Sequence, residues 1–193
     1  MAGLPEHVRV FTAIELNGEL RQVVATDGER LLKGLGRASR VPEANLHVTL
    51  KFVGEVHRDD IPALVEAVEE CSGGLVEGEI EVDGVGAFPS LARPRVIWAG
   101  VSDPSGILTP VHQRLDAALA RFGAKREPKK YVPHVTVARV RGPFDGPELA
   151  ERVRREEELW FGTERVRSVA LLMSELDRGG PPRYTALGHY PAR

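Results

Sequence analysis

The chain has 193 residues, 42% hydrophobic and 28% charged, with a formal net charge of −2. That suits one domain with a real core and excludes a protein drawn to nucleic acid by a global positive field, so any such contact must be local. A single cysteine, Cys71, excludes an internal disulfide and suits a reducing compartment. Met1 to His7 carries no basic-then-apolar leader pattern, and no apolar run is long enough to span a bilayer. A soluble cytoplasmic protein is expected.

Val8 to Leu16 is an apolar run closed by Asn17-Gly18 and reads as a strand. Glu19 to Leu35 places Leu20, Val23, Val24, Leu31 and Leu35 at helical spacing before Gly36. Arg37 to Ala44 reads as a loop. An apolar strand follows and stops at Gly54. Asp59 or Asp60 caps a helix with Pro62 in its first turn, running to about Cys71. Glu79 to Phe88 reads as a strand with a bulge near Gly84 or Gly86, and Val96 to Val101 as another. Ser105 to Phe122 has a helical stripe ending at Gly123. A second apolar strand precedes a short charged helix, Glu148 to Leu159. Val166 to Leu176 and Tyr184 to Tyr190 close the chain as strands around Gly179-Gly180-Pro181-Pro182.

The two apolar strands share a pattern. Leu46-His47-Val48-Thr49-Leu50-Lys51-Phe52 and Pro133-His134-Val135-Thr136-Val137-Ala138-Arg139 each carry a His with a Thr two places on. In a strand, i and i+2 point to one face, so His47 shares a face with Thr49, and His134 with Thr136. The repeat suggests a duplicated unit whose copies face one site. Strands paired around helices argue an α+β fold with largely antiparallel sheets. The expectation is a single domain over 1–193, bilobal and duplicated, with H-x-T-x motifs at 47–50 and 134–137.

Two imidazoles can divide acid-base work at neutral pH, one taking a proton and the other giving one, while each Thr hydroxyl donates to a phosphoryl oxygen. A five-membered cyclic phosphate suits that equipment: its phosphorus is strained and its leaving alkoxide needs a proton. No metal is expected, because neither strand offers a further His or a carboxylate on the His-Thr face, and no cofactor is expected. The pattern alone does not say which histidine is acid and which is base.

The segments Arg9 to Ile14, Pro42 to Val56, Pro94 to Val101 and Pro133 to Arg139 together resemble the 2H phosphoesterase superfamily, in its RNA 2′,3′-cyclic phosphodiesterase (2′-5′ RNA ligase-like) branch. The resemblance implies two pseudo-symmetric lobes of mostly antiparallel sheet with outer helices and a cleft between them. It implies metal-independent hydrolysis of RNA 2′,3′-cyclic phosphate ends to 2′-phosphate, with His47 as proton donor and His134 as proton acceptor. RNA ends, tRNA halves among them, or cyclic nucleotides would be the substrates of a monomeric enzyme. The rivals are a 2′-5′ RNA ligase joining such ends to a 5′-hydroxyl, and a non-catalytic RNA-end binding module.

Other residues are candidates beside these four. Lys51 would share the face of 47 and 49 in a regular strand, as a phosphate cation or a solvated strand end. Arg139 would point away in a regular strand, yet the resemblance marks it as a phosphate ligand, which requires a bulge or twist. Phe11 resembles the family's base-stacking aromatic, although from sequence alone it reads as core. Trp98 and Tyr184 read as core or rim. His7, His57, His112 and His189 lack the Thr partner and read as surface or packing. Arg121, Lys125, Arg126, Lys129, Lys130, Arg139 and Arg141 against Glu127 form a basic stretch beside the second motif, able to follow an RNA backbone.

Overall fold

Asn17 ends the first apolar run and begins the first helix, its side chain accepting from Leu20 N at 2.9 Å as an N-cap should. In this computed structural model, residues 3–126, 130–156, 159–176 and 179–192 are described. The elements are β1 (His7–Glu15), α1 (Gly18–Leu32), β2 (Gly36–Arg40), β3 (His47–His57), α2 (Ile61–Ser72), β4 (Gly78–Ser90), β5 (Arg93–Ser102), α3 (Leu108–Leu119), β6 (His134–Phe144), α4 (Gly146–Arg155), β7 (Trp160–Val166), β8 (Ser168–Glu175) and β9 (Arg183–Pro191). Among the described residues, no helix is long and apolar enough to cross a membrane.

The strands form one antiparallel sheet in the order β7-β4-β5-β6-β3-β1-β8-β9, with β2 on β6. β3 meets β6 through a single residue pair, Val48 with Val135, and this is the seam of the sheet. On one side lie β1, β3, β8 and β9; on the other β4, β5, β6 and β7. α1 and α3 cross between these halves. α1 leaves β1 but packs on β6 and β7, and α3 leaves β5 but packs on β3. Gly28 is where α1 touches β6, since a Cβ there would lie 2.5 Å from Val137 Cγ1. Val24, Leu31, Leu64, Val68, Leu108, Val111 and Leu115 are buried from these helices in one core with Val48, Leu50 and Val135. The α+β class and the antiparallel sheet agree with the sequence pattern.

The differences have physical reasons. Arg37 to Arg40, expected as loop, belong to β2, a short and mostly exposed edge strand of polar residues with no alternation to read. α1 ends at Leu32, three residues early, and α4 ends at Arg155 instead of Leu159. Val166, expected to open the strand that runs to Leu176, instead closes β7, and Ser168 opens β8.

Candidate active site

The seam sets the site. Val48 and Val135 are partners across it, and both are fully buried on the helix-covered face. Carrying that antiparallel register one residue each way puts His47 across from Thr136, and Thr49 across from His134. Alternation then turns all four polar side chains to the opposite face. Diagonal positions on paired strands lie about 7–8 Å apart, room for a phosphoryl group with a hydrogen bond to an imidazole on either side. The charges of His134 and Arg139 are felt at His47, as expected across such a gap.

Each imidazole is held in the same way. His47 Nδ1–H donates to the Asn45 carbonyl at 2.7 Å, and His134 Nδ1–H donates to the Val132 carbonyl at 2.9 Å. A carbonyl only accepts, so in both rings Nδ1 carries the proton and Nε2 is left for chemistry. His47 Nε2 meets Thr49 Oγ1 at 3.0 Å. Burial pushes the His47 pKa below its ordinary value; the Asn45 carbonyl and Glu15 oppose this, while His134 and Arg139 add to it.

Arg139 reaches the site through a bulge. β5 pairs Ile97 with Ala138 and Trp98 with Thr136, leaving Val137 as the extra residue. Val137 and Ala138 are consecutive and both buried, and Arg139 beyond them is exposed. Its charge opposes the upward push of burial on the Tyr184 phenol, as does that of Arg9. Tyr184 in turn lies edge-on to His47, centroids 5.4 Å apart.

The same device moves Lys51 away. β1 pairs Thr12 with Lys51 and Ala13 with Thr49, so Leu50 is the extra residue of a bulge in β3. The expectation that 47, 49 and 51 share a face is therefore corrected. Lys51 is 1% exposed, and its Nζ donates to Asp116 Oδ1 at 2.5 Å and to the Lys125 carbonyl at 2.6 Å. It is neither a phosphate cation nor a solvated strand end. Phe52, half exposed at 50%, takes the place on the motif face.

Phe11 is 2% exposed, packed among Ala13, Ala170, Leu172 and Tyr184. Its ring meets His47 at 4.9 Å and Phe52 at 5.7 Å. It backs the imidazole and offers no open face to a base. Sequence reasoning missed the aromatics around the histidines. Tyr184 and Phe11 lie against His47, with Phe52 against Phe11, while Phe88 and Trp98 stand 5.3 and 5.9 Å from His134. Gly86 is what lets Trp98 lie there: a Cβ at 86 would sit 2.1 Å from the indole. The glycine and the tryptophan are register partners across β4 and β5, and only that pairing could have signalled their contact.

Arg121, Lys125, Arg126, Lys130, Arg139 and Arg141 are exposed; Glu127 and Lys129 lie outside the described residues. Among the described residues no three His, Cys, Asp or Glu side chains cluster as metal ligands. His112 is buried, His7 packs edge-on against His57, and His189 pairs with Glu15.

A family model described as the 2′-5′ RNA ligase superfamily matches residues 19–177. The chain belongs to the 2′-5′ RNA ligase superfamily. It is 34% identical over 174 residues to an RNA 2′,3′-cyclic phosphodiesterase of Methanothermobacter thermautotrophicus, covering 90% of this chain and 94% of that one. An Aquifex aeolicus protein of the same name is 34% identical over 180 residues, covering 90% and 92%. The fold matches that of E. coli LigT complexed with 3′-AMP, with a TM-score of 0.75, 25% identity and coverage of 97% and 99%. Membership in this superfamily agrees with the resemblance carried by the motif segments.

Proposed function

We propose that the protein hydrolyses the 2′,3′-cyclic phosphate at the end of an RNA strand, leaving a 2′-phosphate. The observation that carries this is the four-cornered arrangement of His47, Thr49, His134 and Thr136 on one face of the seam, in a chain whose relatives bear the name of that activity. His134 Nε2 takes a proton from water as the water attacks phosphorus. The P–O3′ bond breaks on the far side, and His47 gives its Nε2 proton to the departing O3′. Thr49, Thr136 and Arg139 donate to the phosphoryl oxygens as charge develops on them. Phe88, 39% exposed beside His134, and Phe52, 50% exposed against Phe11, offer ring faces to the nucleoside. The basic stretch from Arg121 to Arg141 follows the phosphates of longer RNA.

We read the chain as one domain of two related halves, acting as a monomer without a metal. The cytoplasm, where buried Cys71 stays reduced, is its place. The name of the family model favours one second reading, ligation of the cyclic end to a 5′-hydroxyl with that hydroxyl in place of water.

The test is product analysis on a 2′,3′-cyclic mononucleotide and on a cyclic-ended oligonucleotide, in excess EDTA, with and without a 5′-hydroxyl partner strand. Release of 2′-phosphate in EDTA is expected. A joined product with no hydrolysis would favour the ligase. Turnover lost in EDTA and restored by one divalent ion would overturn the metal-free mechanism, and binding without turnover would leave an RNA-end binding module.

A further inference from the structure

We infer that Tyr131 is a positioning residue that couples the two histidine motifs, an inference resting on the catalytic reading above. Tyr131 lies in the stretch between α3 and β6, three residues before His134. Its hydroxyl crosses to the other half and donates to the Thr49 carbonyl at 2.9 Å. Its ring stacks on His112, centroids 4.1 Å apart and planes 8° from parallel. His112, on α3, donates from Nδ1–H to the Leu50 carbonyl at 2.8 Å.

These two carbonyls belong to the β3 bulge. An extra residue disrupts the ladder and leaves backbone groups to be satisfied elsewhere. Tyr131 and His112 meet those of Thr49 and Leu50, and the Thr12 hydroxyl reaches that of Lys51 at 3.4 Å. Lys51, by bonding to the Lys125 carbonyl, ties the start of the same connecting stretch to the bulge. The bulge is therefore fixed from the stretch that leads into the second motif.

One residue beyond Tyr131, the Val132 carbonyl orients the His134 ring. Tyr131 and Val132 thus hold Thr49, the hydrogen-bond partner of His47, and the imidazole of His134. A displacement of this dipeptide moves acid and base together. Its hydroxyl acts on Thr49, and its neighbour in the chain, Val132, acts on His134.

The test is Tyr131→Phe, which keeps the ring on His112 and removes the hydroxyl. The kcat on a cyclic mononucleotide should fall on the order of tenfold, the equivalent of one hydrogen bond, with KM nearly unchanged and the thermal melt retained. Combined with Thr49→Val, the double variant should lose clearly less than the product of the two single losses, because coupled residues are non-additive. Wild-type kcat in Tyr131→Phe, or fully multiplicative losses, would overturn the coupling. A wild-type protein that does not turn over cyclic phosphates would instead overturn the functional reading. The coupling is then decided by the ring ¹⁵N signals of the histidines: Tyr131→Phe should move those of both His47 and His134, and unmoved signals at either would sink it.

Discussion

Phe52 and Arg139 occupy equivalent positions, each five residues past its motif histidine and each two past the extra residue of a bulge. One half of the seam thus presents a ring and the other a guanidinium, so the site is polar across a pseudo-symmetric frame. We expect Arg139→Ala to lower kcat/KM by the equivalent of about 1.5–3 kcal/mol, one charge-assisted hydrogen bond. Phe52→Ala should raise KM for nucleotides with no loss of melting temperature. Phe11→Ala should instead cost about 3–5 kcal/mol of stability, as for a truncated core aromatic. Steady-state kinetics beside denaturant melts on the three variants separate these outcomes; a destabilised Phe52→Ala would place that ring in the core.

His47→Ala and His134→Ala should each remove most turnover, about 10²–10⁴-fold for a lost acid or base. The double variant should be little worse than either, since groups acting as a unit do not add. Thr49→Val and Thr136→Val should cost less, roughly 1.5–3 kcal/mol. The melts should stay near wild type, because both histidines are half-buried on the open face of the sheet. Activity that merely tracks the folded fraction across the set would reduce the motifs to a structural role.

The pH dependence has a sign. His47 lies below its ordinary 6.5 because burial disfavours the imidazolium. In the proposed role of proton donor it must start charged, so kcat/KM should fall as pH rises through a value under 6.5. In kcat the same limb should move upward, because a bound phosphate anion favours the cation. A kcat/KM that climbs through this region and stays high would make His47 the base. Stability follows the same group. A folded pKa below the unfolded one contributes stability above pH 6.5, and that stability is lost as pH falls through the folded value. Melting temperatures of His47→Gln should therefore fall less steeply below pH 6.5 than those of wild type.

Lys51 and Asp116 should respond unequally to mutation. The Lys51 side chain is fully buried, whereas that of Asp116 is 21% exposed. Asp116→Ala leaves a buried ammonium without its carboxylate and should cost about 3–5 kcal/mol. Lys51→Met leaves a carboxylate that water still reaches, and should cost less. Chemical denaturation of both variants checks the order, and an equal or reversed pair would contradict it.

The two H-x-T pairs were legible because residues 47–49 and 134–136 sit in regular strand, where alternation holds and apolar neighbours declare the buried face. Alternation failed two residues later in both strands. Leu50 and Val137 are ordinary apolar residues, and nothing in their identity announces an extra residue. Bulges arise from tertiary demand: Val137 fills the space that the missing side chain of Gly28 on α1 leaves, and His112 and Tyr131 bond to the carbonyls around Leu50. For that reason Lys51 leaves the face that plain alternation predicts, and Arg139 leaves the side on which plain alternation would put it. Tyr184 and Trp98 reach the histidines through strand pairings that neither local pattern nor propensity encodes.

The strand order has a consequence for how the molecule is made. β4 leaves the half that holds His47 to join the other, and β8 and β9 return to complete the first half at the end of the chain. No single cut yields an intact half: a fragment ending after α2 holds β1 and β3 without β8 or β9. On the ribosome, His47 emerges early yet waits without its Tyr184 neighbour until the last strand has been translated. The surroundings of His47 are therefore the last part of the site to be completed.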